Sequence, residues 1–340
     1  MIVLGIETSC DETSASVVSS NKKILSNIIY SQIDIHKPFG GVVPEIASRS
    51  HVQKIDEVIK ISLKQANLSI EDVDAIAATA GPGLIGGLIV GLLTSKAMAI
   101  SANKPLVGIN HLEAHALTPR LTNKIDFPYL LLLVSGGHTQ ILEVKGIRKY
   151  KLLGGTVDDA CGECFDKVSK LLNLGFPGGP AIEEAAKEGN ENSIDLPRPM
   201  INHKNLDFSF SGLKTAVSNK ISLNMNQQLK NNIAASFQKA VGDIFYKKIE
   251  KASDYFFKTY SFKPNIVISG GVASNEYIKK RLLDLSRLNN VNLYSPPKNL
   301  CTDNGAMIAW AAIERLFENP YICEYEIEVN PRWQLSGLNQ

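Results

Sequence analysis

His111 and His115 stand four residues apart in Ile109-Asn110-His111-Leu112-Glu113-Ala114-His115-Ala116-Leu117. On a helix, side chains at i and i+4 lie one above the other on the same face, so both imidazoles can reach one point in space. That is half of a metal site, since such sites draw on three or four ligands. Glu113 projects to nearly the opposite side and makes a poor third ligand. It also stands at the third position rather than beside the first histidine, so the zinc-protease pattern H-E-x-x-H is absent. Taken alone, the pair also reads as two ordinary helix histidines. Asp303, in Leu300-Cys301-Thr302-Asp303-Asn304-Gly305 ahead of an apolar helix, reads either as a capping carboxylate or as a hard oxygen ligand. Joined to the imidazoles it would complete a His, His, Asp set suited to zinc, iron or manganese.

Apolar runs of strand length lead into these residues. Residues 2–6, 14–19 and 23–30 read as strands, the first two joined by the polar turn Glu7-Thr8-Ser9-Cys10-Asp11-Glu12-Thr13. The Gly/Pro-rich stretch 38–45 leads to an amphipathic helix with Val52, Ile55, Val58, Ile59 and Leu63 on one side. Residues 73–80 read as a buried strand that the glycines of 81–87 turn into the next helix, and strand 105–109 feeds the histidine helix. The plan then repeats. Strands 129–134 and 140–144 flank the tip Ser135-Gly136-Gly137-His138-Thr139, and strand 265–268 passes through Ser269-Gly270-Gly271-Val272 into a helix at 274–285. A strand at 291–294 and a helix at 306–316 follow, with helices at 165–172, 181–187 and 226–259 between the repeats. A repeat at half-chain length predicts two related α/β domains facing each other, 1–108 plus 305–340 and 109–304. Glycine lets the backbone approach a ligand and leaves amide N–H groups free to point at it, so the duplicated turns predict a nucleotide phosphate site. Phe208 and Phe210, in the polar loop 207–214, read either as a platform for stacking a base or as core.

With 340 residues, 44% of them hydrophobic, the chain is long enough for two domains with their own cores. Lys plus Arg number 36 against 34 Asp plus Glu, a balance that neither demands nor excludes a nucleic acid. Any basic surface must be local, as at Arg148-Lys149-Tyr150-Lys151 or Lys279-Lys280-Arg281, and such short clusters also read as solvated faces. Residues 2–6 lack the basic flank and cleavage site of a signal peptide. The apolar stretch 84–100, broken by glycines and Lys96, suits a buried helix rather than a membrane span. Five scattered cysteines point to a reducing cytoplasm. Cys161-Gly162-Glu163-Cys164, with no second pair at zinc-ribbon spacing, reads as two reduced thiols.

Several blocks resemble, in order, the signatures of the universal tRNA N6-adenosine threonylcarbamoyltransferase family (TsaD, also Gcp or YgjD). They are Gly5-Ile6-Glu7-Thr8-Ser9-Cys10-Asp11-Glu12-Thr13, Gly41-Val42-Val43-Pro44-Glu45-Ile46-Ala47-Ser48-Arg49-Ser50-His51, Asn110-His111-Leu112-Glu113-Ala114-His115 and Val134-Ser135-Gly136-Gly137-His138-Thr139. Further matches are Asp158-Asp159-Ala160-Cys161-Gly162-Glu163 through Asp166-Lys167, Pro177-Gly178-Gly179-Pro180, Phe208-Ser209-Phe210-Ser211-Gly212-Leu213-Lys214, Ser269 to Asn275 and Cys301 to Ala306. The resemblance implies an α/β fold of the actin-like ATPase (ASKHA) class, with two RNase-H-like lobes carrying helical insertions. It implies that His111, His115 and Asp303 bind one divalent metal ion, iron (Fe2+) ahead of zinc. It implies that Val134, Ser135, Gly136, Gly137, His138, Asp166, Gly179 and Asn275 bind threonylcarbamoyl-AMP. The implied reaction moves the threonylcarbamoyl group to N6 of the adenosine 3′ of the anticodon in tRNAs reading codons that begin with A. In that chemistry Glu12, with Asp11 beside it, is the expected acceptor of the amine's proton. The implied partners are tRNA, a degenerate paralogous subunit (TsaB) forming a heterodimer and a small P-loop ATPase (TsaE), in the cytoplasm and without a membrane. Cys164 departs from the family, which more often carries Ala there. The rival readings are an actin-like-fold ATPase or sugar kinase, which would release or transfer a γ-phosphate, a metalloprotease, and a protein that only senses a nucleotide.

Overall fold

Two five-stranded sheets of the same plan organise the chain in a computed structural model that describes residues 1–221, 225–335 and 338. The first contains β1 (Ile2–Glu7), β2 (Glu12–Ser19), β3 (Ile24–Ser31), β4 (Ala75–Gly81) and β5 (Leu106–Asn110), ordered β3-β2-β1-β4-β5. The β1–β2–β3 meander is antiparallel, while β4 pairs parallel with β1 and β5 parallel with β4. Parallel strands covered on both faces read as continuous apolar runs, and β4 and β5 are buried at every residue. The second sheet contains β6 (Tyr129–Val134), β7 (Thr139–Gly146), β8 (Lys149–Gly155), β9 (Ile266–Ser269) and β10 (Leu293–Tyr294). Its order, β8-β7-β6-β9-β10, repeats the first strand for strand, with β6 antiparallel to β7 and parallel to β9. The duplication expected from a hairpin in each half followed by a strand, a Gly turn and a helix is therefore present, although the lysines of β8 mask that strand in the sequence.

In the first sheet's half, a short α1 (Ile33–His36) precedes α2 (Pro44–Ala66), α3 (Ile85–Ser101) and α4 (His111–Thr122). Ile55, Val58 and Ile59 of α2 are buried as expected, but Val52 is 64% exposed and faces away from the core. Helix α3 is not the buried helix its composition suggested. Leu88, Leu92 and Ala99 face inward, whereas Ile85, Leu93 and Ile100 are 58%, 57% and 60% exposed. The other half carries α5 (Cys161–Leu172), α6 (Gly178–Lys187), α7 (Ser211–Ser218), the long α8 (Gln227–Tyr260) and α9 (Glu276–Asn289). The chain then returns to the first sheet as α10 (Gly305–Glu318). Helix α10 lies against β1 because Gly5 has no side chain: a Cβ there would stand 2.4 Å from the Ala309 nitrogen.

The compact units are 1–124 with 146–150 and 296–340, and 125–145 with 151–295. These bounds differ from those read at 109 and 304. Helix α4 belongs with the first unit because it packs on α10, and Arg120 closes a bidentate ion pair on Glu314 at 2.8 and 3.1 Å. Among the described residues no helix is long and apolar enough to cross a membrane.

Candidate active site

The side chain of Asn110 accepts hydrogen bonds from the amides of Leu112 (2.9 Å) and Glu113 (3.2 Å), so α4 begins at His111. One turn then sets His111 and His115 edge to face, with ring centroids 4.7 Å apart. Asp303 Oδ1 lies 3.1 Å from His115 Nε2 and 3.4 Å from His111 Nε2. The capping alternative for Asp303 is excluded, because the adjacent Asn304 caps α10 by accepting the Met307 amide at 3.1 Å. That leaves the Asp303 carboxylate for the histidines. One ligand atom from each of the three residues lies within 4.8 Å of the others, and all three residues belong to the first unit.

Glu7, at the end of β1, was not singled out from the sequence. Its carboxylate, 0% exposed, accepts from the Ser9 amide and the Thr79 hydroxyl, and its Oε2 lies 3.1 Å from His111 Nδ1. Burial alone would raise the Glu7 carboxyl, but the charge of His111 and its hydrogen bond prevail and hold it below the ordinary range. Burial likewise disfavours charge on His111, yet Asp303 and Glu7 hold its pKa well above the usual value. Asp303 is pushed far below the carboxylate range, its own burial being outweighed by His111 and His115. A divalent cation fits this donor set of two imidazole nitrogens and one carboxylate oxygen, since it would take the place of the proton that His111 otherwise holds between two carboxylates.

The tip between β1 and β2 carries Asp11 and Glu12. Two buried groups hold its backbone: His51 Nε2 lies 3.0 Å from the Cys10 carbonyl oxygen, and the Gln32 amide donates to the Asp11 carbonyl at 3.0 Å. Burial, then the charges of Asp11 and Asp303, push the Glu12 carboxyl well above its ordinary value. Glu113 does point away from the histidine pair. It is fully buried and accepts from the Arg148 amide (3.2 Å) and the Tyr150 hydroxyl (3.0 Å).

In the second unit, the Ser135-Gly136-Gly137-His138 turn closes on itself, with the Ser135 amide donating to the His138 carbonyl at 2.8 Å. The second and third amides of α5, Gly162 and Glu163, donate to the carbonyls of Ser135 and Gly136, both at 3.2 Å. Because N–H and C=O point oppositely in a peptide plane, tying down those carbonyls turns the Gly136 and Gly137 N–H groups away from α5. A Cβ built on Gly136 or Gly137 meets nothing within 4 Å, so the side-chain side of both residues is open. Two successive main-chain donors turned the same way could cradle an anion. The close approach requires Gly162, whose Cβ would stand 2.6 Å from the Ser135 oxygen. Val134 itself is fully buried and contributes only main chain. Asp166 accepts the Gly178 amide at 2.7 Å, and Gly179 beside it faces open space. Asn275 caps α9 through Ile278 (2.9 Å) and donates to Gln238 (2.8 Å), so much of its hydrogen bonding is structural.

Phe208 and Phe210 are core, not a stacking platform: both are 0% exposed and both pack edge-on against Phe245. Their loop is pinned by Asp158, which accepts from the Ser209 hydroxyl (2.5 Å), the Phe210 amide (2.8 Å) and the Ser211 hydroxyl (2.6 Å). Partial burial would raise Asp158, but these donors win and its carboxyl lies below the usual range. A depressed folded-state pKa stabilises above the unfolded value of about 3.9 and loses that contribution as pH falls through the folded value. Asp158→Asn is therefore expected to lower the thermal midpoint at pH 7, with the gap to wild type narrowing in acid; an equal gap at both pH values would refute it. Cys161 and Cys164 are buried and free, and burial raises both thiols, Cys164 to about 12, which agrees with the inert reading of the pair.

Residues 23–310 match the family model described as tRNA N6-adenosine threonylcarbamoyltransferase. The chain is 50% identical over 344 residues to the tRNA N6-adenosine threonylcarbamoyltransferase of Rhizobium johnstonii, covering 98% of this chain and 94% of that protein. Among solved structures it is similar to HypF of T. kodakarensis, with a TM-score of 0.62 at 15% identity over 96% of this chain and 48% of that one. It is also similar to component A of the Acidaminococcus fermentans (R)-2-hydroxyglutaryl-CoA dehydratase, with a TM-score of 0.54 at 14% identity over 93% and 98% of the two chains. At such identities the likeness concerns the fold alone, which is the actin-like ATPase fold.

Proposed function

Since the chain belongs to the tRNA N6-adenosine threonylcarbamoyltransferase family, we propose that it moves the threonylcarbamoyl group of threonylcarbamoyl-AMP to N6 of the adenosine 3′ of the anticodon, in tRNAs reading codons that begin with A. It is a tRNA-modifying transferase. The observation that carries the metal-assisted form of the reaction is the convergence of His111, His115 and Asp303 within 4.8 Å. These three residues would hold one divalent ion, Fe2+ ahead of zinc, which when bound supplies a Lewis acid for a phosphate or carbonyl oxygen. The Gly136 and Gly137 amides would donate to the donor's anionic end, with Ser135 and His138 shaping the turn, while Asp166, Gly179 and Asn275 would line the nucleoside. The amine of adenosine is a weak nucleophile, so fixing its position contributes more than activating it. Glu12, with Asp11 beside it, would take the proton it releases; burial and the neighbouring charges of Asp11 and Asp303 raise its pKa, and a carboxylate of raised pKa is, when ionised, a stronger base than an ordinary one.

A peptidase reading is not supported, because Glu113, the acid between the histidines, is committed to Arg148 and Tyr150. The deciding experiment incubates the protein and its partners with threonine, bicarbonate, ATP, an adenylate-forming enzyme and unmodified tRNA, followed by nucleoside analysis. Threonylcarbamoyl-adenosine is the expected product. ATP turnover without tRNA, and no modified nucleoside, would instead favour the ATPase or kinase.

The proposed partners are tRNA, a paralogous subunit (TsaB) in a heterodimer and a P-loop ATPase (TsaE), acting in the cytoplasm. In support of a protein partner, Ile85, Ile89, Leu93 and Ile100 form an exposed apolar stripe along α3 at helical spacing. Leu93→Glu is expected to leave the chain folded but abolish co-elution with the paralogue in size-exclusion chromatography; unchanged co-elution would remove α3 from the interface.

A further inference from the structure

We infer that Glu7 is a positioning residue that holds the hydrogen of His111 on Nδ1, leaving the Nε2 lone pair toward Asp303, and thereby sets the cation affinity of the His111, His115, Asp303 cluster. The inference rests on the metal-assisted reading only for its consequence. The hydrogen-bond logic stands on the residues alone.

Every acceptor site of Glu7 that the cluster needs is in use. One carboxylate oxygen takes the Ser9 amide, and the other takes the Thr79 hydroxyl and faces His111 Nδ1 at 3.1 Å. An ionised carboxylate only accepts, so Nδ1 must carry hydrogen, and in a neutral ring Nε2 then keeps the lone pair. That lone pair lies on the Asp303 side, 3.4 Å from Oδ1, where a shared cation would sit. The bond spans 104 residues, from the end of β1 to the start of α4, and is buried at both ends, so water does not compete for it. Ser9 Oγ also lies 3.1 Å from His111 Nδ1. A hydroxyl can donate as readily as it accepts, so Ser9 alone would leave the tautomer open, and only the carboxylate decides it.

Glu7→Gln separates the possibilities. An amide has one accepting and one donating end. Its oxygen can serve either the Ser9 amide or His111. With the oxygen toward Ser9, the NH2 faces Nδ1 and drives the ring to its Nε2–H form; with the oxygen toward His111, two donors meet at Ser9. Outer partners of metal-bound histidines change affinity by roughly 10–100-fold. Two readouts test the idea: 15N chemical shifts of the His111 ring in metal-free protein, recorded at a pH above its raised pKa so that the ring is neutral, and Zn2+ or Co2+ affinity by competition with a chromophoric chelator. Wild type is expected to show Nδ1–H. Glu7→Gln is expected to shift the ring toward Nε2–H and to weaken cation binding about 10–100-fold, while Ser9→Ala changes neither. A wild-type ring protonated on Nε2, or a tautomer that follows Ser9→Ala instead, would overturn the inference, as would a folded Glu7→Gln protein with both readouts unchanged. If wild type shows Nδ1–H but binds no cation, the metal-assisted reading fails and the role of Glu7 in orienting His111 stands.

Discussion

Replacing His115 by Ala is expected to remove the bound cation and lower threonylcarbamoyl transfer by roughly 10²–10⁴-fold, with the fold intact. The magnitude follows from the several kcal/mol that a Lewis acid contributes to stabilising developing charge, at 1.36 kcal/mol per factor of ten. His115 is wholly buried and meets Asp303 at 3.1 Å, so its loss removes one of the three protein ligands and leaves a gap beside the carboxylate. Asp303→Ala should behave alike, and the double variant should cost little more than either, because the three ligands act as one unit. Metal content by atomic absorption, read beside nucleoside analysis of the tRNA, checks both halves. Full transfer by metal-free His115→Ala would refute the assignment.

Gly162→Ala is expected to unseat the Ser135 to His138 turn from α5. Its Cβ would stand 2.6 Å from the Ser135 oxygen and 2.8 Å from Gly136 Cα, backbone contacts that no side-chain rotation relieves. The turn must then leave α5, and the two carbonyl hydrogen bonds that aim the Gly136 and Gly137 amides are lost. Removing one preorganised oxyanion donor costs about 10²–10³-fold in rate, and a loss of that order is expected in kcat. Gly137→Ala provides the contrast. Its methyl meets nothing within 4 Å, so the turn survives, but the methyl takes up open space beside the turn and KM for the adenylate should rise. Steady-state rates against adenylate concentration separate the two, and wild-type kcat in Gly162→Ala would show that the turn does not need its seat on α5.

The local layer of the site was legible in the chain. The i, i+4 spacing of His111 and His115 and the Ser135 to His138 tip rest on short-range geometry, and both were found where they were read. The neighbours of those residues were less legible. Asp303 and Asn304 are both good capping residues, and only the hydrogen bond from Met307 to Asn304 shows which of them is the cap. Phe208 and Phe210 sit in a polar stretch, and nothing local shows that Phe245 of a distant helix covers them. Glu7 lay in the quoted motif Gly5-Ile6-Glu7-Thr8-Ser9, and the signal available was an acid at the end of an otherwise apolar strand, where an unpaired charge is costly to bury.

The sequence by itself determined the alternation of strands and helices, the half-chain repeat, the shared face of the two histidines and the glycine turns, because periodicity and backbone freedom act over a few residues. Tertiary structure alone decided that Asp303 reaches His115 across 188 residues and that Glu7 reaches His111 across 104. It also decided that α4 joins the first unit and that Glu113 turns to Arg148 and Tyr150. The first two pairings follow from how α10 packs on β1, at Gly5, and on α4. Local sequence specifies which groups require partners, but chain topology selects the partner from among distant residues of equal chemistry.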